Sequence, residues 1–384
     1  MYTITFGGWY QRTTLHLSEI YELFKLGKSK LDLDPIKLTS LYNGLNLKSV
    51  TRELSYLEYV SAETKDGIRI KYYEDGLYVL QMQSTSTKET LEKLKRYYND
   101  FFHPAIAYIF SLGAPTPKIL ADIKTSPPIV VSTEVKKIND FKLDTKEFGE
   151  VYSQIDAKNF VVYKTPEYIF IASGPGNTSL VDLIETQIFF REFKDQLETY
   201  LNIHRKIWEE ISHIKERKYL KGRDIEEVRM KLDAYQKNIN LIGSRINQMG
   251  TYISSRADIA KLLKIDEQLV TIFQYKFDTL MNSHSYIKEI WKMTLDYLNT
   301  AIQIVNEVRN KTADATIQSL RLITTVGVIS GIIGYISKDK FPEITIIGLA
   351  YYVVLILVTW LINIAVNGFY QNRKYELKFS KFKD

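Results

Sequence analysis

Ile344 to Val366 reads ITIIGLAYYVVLILVTWLINIAV and carries no charged residue. Its about 23 residues, at ~1.5 Å of helical rise each, match the ~30 Å hydrocarbon core of a bilayer, so the stretch predicts a transmembrane helix. Just upstream, Leu322 to Ser337 (LITTVGVISGIIGYIS) is also uncharged, and it becomes long enough to span if it continues back past Arg321 into Ala315-Thr316-Ile317. The connecting Lys338-Asp339-Lys340-Phe341-Pro342-Glu343 is too short to be a domain. A two-helix hairpin is expected, with both chain ends on one side of the membrane. Arg309, Lys311 and Arg321 precede it, and Arg373, Lys374, Lys378, Lys381 and Lys383 follow it. By the positive-inside rule both flanks are cytoplasmic, which implies a multi-pass protein of the plasma membrane.

Outward from this hairpin the chain is of ordinary globular composition. Of 384 residues 45% are hydrophobic and 25% charged, and the formal net charge is +6. Those averages make the membrane portion a minor part of the chain. No cysteine is present, which excludes disulfides, thiolate metal sites and a cysteine nucleophile. Met1-Tyr2-Thr3-Ile4-Thr5-Phe6 lacks a basic region followed by an apolar segment, so no cleaved signal is expected. Much of the basic excess lies in the C-terminal tail, where anionic lipid headgroups are the simpler partner and nucleic acid is not expected.

In chain order the pattern is mixed α and β, then helical. Tyr2 to Phe6 alternates like a strand, Leu17 to Leu26 has helical spacing, and Asp66-Gly67 and Glu74-Asp75-Gly76 flank alternating runs in the manner of antiparallel hairpins. Thr87 to Phe110 reads as a helix that Pro104 breaks or kinks. After Pro115, Pro117 and Pro127-Pro128, further strands are expected at Ile129-Val131, Phe160-Tyr163 and Tyr168-Ile171, closed by a turn at Gly174-Pro175-Gly176-Asn177. A helix from about Ser179 to Tyr219 breaks at Gly222, a second runs from Asp224 toward Leu263, and a third begins at Asp266 and meets no proline before Ser337. The third carries a heptad seam, with Phe273, Leu280, Ile287, Thr294, Ala301 and Val308 at a and Phe277, His284, Trp291, Leu298 and Val305 at d. Such a seam needs partners, either the two preceding helices, the same helix of other subunits, or both.

Within the first span, Thr324, Gly327, Gly331 and Gly334 fall on one helical face. Small residues there suit either close helix packing or a pore lining. Gly331-Ile332-Ile333-Gly334-Tyr335-Ile336, then Phe341-Pro342-Glu343-Ile344, an aromatic-rich second span and a basic tail resemble the end of CorA-type divalent-cation (magnesium) transporters. The family ends its first span with Gly-Met-Asn, of which only Gly334 is matched here, with Tyr335 and Ile336 in the other two places. The resemblance implies a CorA-like fold: an α+β cytosolic domain (1–177), a helical hairpin (178–265), a stalk helix (266–321) continuous with a first transmembrane helix (322–337), an external loop (338–343), a second transmembrane helix (344–366) and a basic cytosolic tail (367–384). It further implies a homo-oligomer, a pentamer, with Thr324, Gly327, Gly331 and Gly334 lining the pore and Tyr335, Ile336, Asp339 and Glu343 at the external mouth. Mg²⁺, Co²⁺ or Ni²⁺ is then the transported or regulatory ion, and no other cofactor is expected. Asp266 and Glu267, with Asp278 and Asp296, are candidates for a cytosolic cation sensor, beside the plainer reading of a solvated helix face. His16, His103, His204, His213 and His284 are too scattered for a zinc site. No acid, base and nucleophile set comes together, so a catalysed reaction is not expected. The alternative function is a non-conducting, membrane-anchored scaffold that binds a partner through its cytosolic domain.

Overall fold

The computed structural model describes residues 1–10, 16–110, 129–157, 159–176, 179–217, 219–336 and 346–376. The chain forms two compact units, Met1–Ile203 with Leu241–Trp291, and His204–Asn240 with Lys292–Asp384.

The first unit is built on a sheet whose order, among the described residues, is β2-β3-β4-β5-β1-β6-β9-β8-β7. The strands are β1 (Tyr2–Trp9), β2 (Leu47–Leu54), β3 (Glu58–Thr64), β4 (Arg69–Tyr73), β5 (Leu77–Ser84), β6 (Ile129–Glu134), β7 (Ser153–Ala157), β8 (Phe160–Lys164) and β9 (Ile169–Ser173). All neighbours pair antiparallel except β6 with β9. β1 sits between β5 and β6, with Ile4 opposite Met82 on one side and Val131 on the other. Gly76 turns β4 into β5 at φ 91°, a conformation that costs an L side chain energy, and a Cβ there would also collide with the Tyr10 carbonyl.

Alternation along the strands sends side chains to two covered faces. Ile4, Phe6, Ile70, Tyr72, Tyr78, Leu80, Val131 and Phe170 join one core with the helices α1 (Leu17–Leu26), α3 (Thr87–Tyr97) and α4 (His103–Phe110). α2 (Pro35–Leu45) begins with Pro at its first position, capped by Asp34, whose carboxylate accepts from the Ile36 N–H at 3.0 Å. The expected break at Pro104 takes the form of a π-helical turn, Tyr98–Phe102, just ahead of the proline. A wider turn accommodates the missing N–H without ending the helix. A four-residue α5 (Thr145–Phe148) puts Phe148 edge-on to Phe170 at 4.9 Å.

The opposite face is covered by the first part of α6 (Leu180–Glu216), the last part of α7 (Ile225–Leu262) and α8 (Asp266–Phe273). Trp9 stacks on Phe193 of α6 at 5.2 Å and meets Tyr252 of α7 edge-on. The start of α9 (Phe277–Ile336) belongs to this unit, where Leu280, Ile287 and Trp291 are buried. His284 makes a 2.6 Å bond from Nε2 to the Ile246 carbonyl of α7, which requires the Nε2–H tautomer because a carbonyl only accepts.

In the second unit the seam continues through Thr294, Leu298, Ala301, Val305 and Val308, all buried. Tyr297 stacks on Trp208 of α6 at 4.4 Å, and Gln236 of α7 donates to Asn299 at 2.9 Å. The heptad positions are therefore satisfied in this unit by the two preceding helices of the same chain. A short pair, β10 (Tyr219–Lys221) with β11 (Lys374–Glu376), stands where the sequence predicted a helix end and a basic tail. The unit also contains α10 (Ile346–Asn372).

Three expectations are corrected. Among the described residues no helix is long and apolar enough to cross a membrane. This overturns the two-helix transmembrane hairpin of 322–337 and 344–366, the multi-pass placement in the plasma membrane and the membrane-channel description built on it. After Arg321 the uncharged part of α9 is only about 15 residues, or ~22 Å, short of a ~30 Å core. In the second expected span, Ile344 and Thr345 lie outside the described residues. Second, the helix from Asp266 is not continuous. α8 ends at Phe273, Gln274 takes a left-handed conformation at φ 58°, and α9 starts at Phe277. Third, strands follow the α+β region, as β10 and β11 show.

Candidate functional site

The turn between β8 and β9 closes on itself: the Thr165 N–H donates to the Tyr168 carbonyl at 2.9 Å, and the Tyr168 N–H to Thr165 Oγ1 at 3.1 Å. It forms one wall of a cleft of about 580 Å³ in the first unit. α6 forms another wall through Arg191, Lys194 and Asp195, which share a helical face because they are three and four residues apart. Lys164 comes from the end of β8, Lys95 from α3, and Phe273 and Tyr275 from the break between α8 and α9. The Schellman-type ending of α8 places these two rings: the Gln274 N–H donates to the Val270 carbonyl at 3.0 Å and the Tyr275 N–H to the Leu269 carbonyl at 3.2 Å. Tyr275 lies flat on Phe190, 4.2 Å away and 3° from parallel, so that ring is held firmly.

Four cations, Lys95, Lys164, Arg191 and Lys194, face two acids, Glu167 and Asp195. Among the described residues none of the four is held in an ion pair. Burial lowers the pKa of Lys164, whose ammonium lies 6.0 Å from the Phe273 ring. Asp195 is pushed up by burial, against the pull of Arg191. Burial also raises Tyr275. The cleft therefore has a positive balance, partly desolvated, with Tyr152, Tyr168, Phe273 and Tyr275 as aromatic lining. Such a place favours an anion that brings its own apolar surface.

The same α6 helix enters a second polar cluster of opposite character. Arg256 of α7 and Asp75, at the β4–β5 turn, form a buried two-pronged pair, with Nε to Oδ2 at 2.6 Å and an Nη to Oδ1 at 3.0 Å. Asp75 Oδ1 also accepts from the Leu77 N–H at 3.1 Å, and the Arg256 guanidinium lies over Tyr73 and Phe189. Glu185 of α6 accepts from Lys71 at 3.0 Å and from the Tyr73 hydroxyl at 2.5 Å. Burial, then Glu185, raises the pKa of Tyr73, so the phenol stays protonated and donates. The space beside these groups is about 80 Å³. Charge here is satisfied internally, and the cluster fastens α6 and α7 to the sheet.

The residues singled out from the sequence lie elsewhere. Thr324, Gly327 and Gly331 are on α9, where the Thr324 hydroxyl donates to the Leu320 carbonyl at 2.8 Å and a Cβ on either glycine would meet no atom within 4 Å. Gly334, Tyr335 and Ile336 belong to the last turn of α9. Asp339 and Glu343 lie outside the described residues. Asp266 and Glu267 occupy the first turn of α8, where carboxylates favour the helix dipole. Among the described residues no group of three or more His, Cys, Asp or Glu side chains is placed to hold a metal ion. The cleft residues Lys95, Lys164, Arg191, Lys194 and Tyr275 were not anticipated; the three-residue spacing of Arg191 and Lys194 on a helix was the only local sign of them. No protein-family model matches the chain, and no curated protein matches it in sequence.

Proposed function

We propose that the protein is a recognition protein without a catalysed reaction, whose α+β unit binds an anionic small molecule in the cleft between the β8–β9 turn, α6 and the α8–α9 break. Of the readings drawn from the sequence, this one keeps a binding role for the α+β domain and discards the membrane anchor. The observation that carries it is the convergence of Lys95, Lys164, Arg191 and Lys194 on one cleft, with no ion pair to occupy them among the described residues. Charged hydrogen bonds to an anion would supply what the protein leaves unmade, and the low local dielectric strengthens them. Cation transport is a reading of the resemblance alone, and it requires a crossing that the described residues do not provide.

Calorimetric titration of the full chain with inorganic phosphate tests the proposal. Saturable binding that weakens at least 10-fold in Arg191→Ala and in Lys164→Met, and that weakens with added salt, is the expected result. Absence of saturable binding, or affinity in both variants equal to that of the unsubstituted chain, overturns it.

A further inference from the structure

We infer that the ligand of the cleft is an organic phosphate carrying a planar ring, of the nucleoside monophosphate class, with the phosphate on the Lys164–Arg191–Lys194 side and the ring against Tyr152 and Tyr275. This rests on the anion-binding reading and goes further by assigning both ends of the ligand.

The charge balance of the lining, four cations against two acids, leaves two positive charges, the number that neutralises a phosphate dianion. Arg191 offers a planar fork of N–H donors, and lysines add point charges around it, a combination suited to a group with three equivalent acceptor oxygens. An inorganic ion would leave most of the 580 Å³ to water and would not use the aromatic lining. Clefts of this size fall within the ~300–1,000 Å³ range of sites that enclose drug-sized ligands.

The aromatic wall is built for a flat partner. Tyr275 is backed by Phe190 in nearly parallel contact at 4.2 Å, and Phe273 stacks against it at 5.6 Å, so its ring is positioned before any ligand arrives. Little conformational freedom is then lost when a base stacks on the assembly. Tyr152, 70% exposed, is free to close over the ring. Stacking on aromatic side chains contributes enough per base to change affinity ~10-fold or more, and it tolerates the identity of the base. The class is thereby defined without a choice among bases.

Calorimetry of the full chain with inorganic phosphate, ribose 5-phosphate, adenosine 5′-monophosphate and adenosine distinguishes this inference from the reading beneath it. Adenosine monophosphate is expected to bind ~10-fold more tightly than ribose 5-phosphate. That ratio should shrink toward one in Tyr152→Ala and in Tyr275→Leu. Using the ratio guards against a Tyr275 variant that is merely less stable, since both ligands would then weaken together. Equal binding of adenosine monophosphate and ribose 5-phosphate, or a ratio that neither tyrosine variant alters, overturns the ring assignment and leaves the anion site standing. If no phosphate-bearing ligand binds, the anion site fails and the inference fails with it.

Discussion

α6 takes part in two polar clusters of contrasting design. Near its start, Glu185 is bonded to Lys71 and Tyr73, beside an Arg256–Asp75 pair in which each partner is about 5% exposed or less. Two turns further on, Arg191 and Lys194 face a cleft with their charges uncommitted. One cluster holds parts of the protein together and the other is open to a ligand. Buried charge is tolerated where its partner is internal, and it becomes available for binding where the partner is missing.

The sharpest way to break this comparison is at Asp75. Asp75→Ala leaves the Arg256 guanidinium buried without compensation, and the expected loss is ~3–5 kcal/mol in urea or thermal unfolding. A loss under 1 kcal/mol would mean that the pair is not the fastening it looks like. The reciprocal change, Lys164→Met, removes a charge that the fold disfavours. Phosphate binding should fall at least 10-fold while stability is unchanged or higher by ~0.5 kcal/mol or less, because the ammonium is partly solvated.

Glu192, next to Arg191 on α6, sharpens the contrast through pH. Burial, and then the charge of Asp195, push its pKa from 4.5 up to about 8. An acid that holds its proton longer folded than unfolded contributes full stability below the unfolded value, and that contribution is lost as pH rises through the folded one. Stability should therefore fall between about pH 4.5 and pH 8, by at most ~1.4 kcal/mol per pH unit for this group, and Glu192→Gln should flatten that slope. Unfolding midpoints measured across the range decide it. The smallest effect is expected at Gln274, where a left-handed backbone is held by a residue other than glycine. Gln274→Gly should add ~1 kcal/mol or less to stability, and unchanged phosphate affinity would show that the break positions Phe273 and Tyr275 through its hydrogen bonds rather than through strain.

How much of this was legible in the sequence follows physical lines. α1 was readable to its last residue because its apolar spacing ends at Gly27, which caps the helix at φ 61°. The Asp-Gly turns located β4 and β5, and the heptad positions are buried except for Phe277, which is half-buried. β2 and β7 carried no apolar alternation, since both lie at the edges of the sheet with much of each strand exposed. The interruption after Phe273 has neither glycine nor proline to mark it. The cleft was invisible for a different reason: Lys95, Lys164, Arg191 and Tyr275 are brought together by the sheet and helices from distant points in the chain, and no short motif contains them.

The position of β1 has a consequence for biosynthesis. It leaves the ribosome ahead of both its neighbours, β5 and β6, which end at Ser84 and Glu134. At ~5–20 residues per second, several seconds pass with both edges of Tyr2–Trp9 open before the first partner is even translated. An apolar strand waiting that long is a template for pairing with another nascent chain, so crowded polysomes and fast initiation should lower the yield of folded protein more than any single surface substitution would.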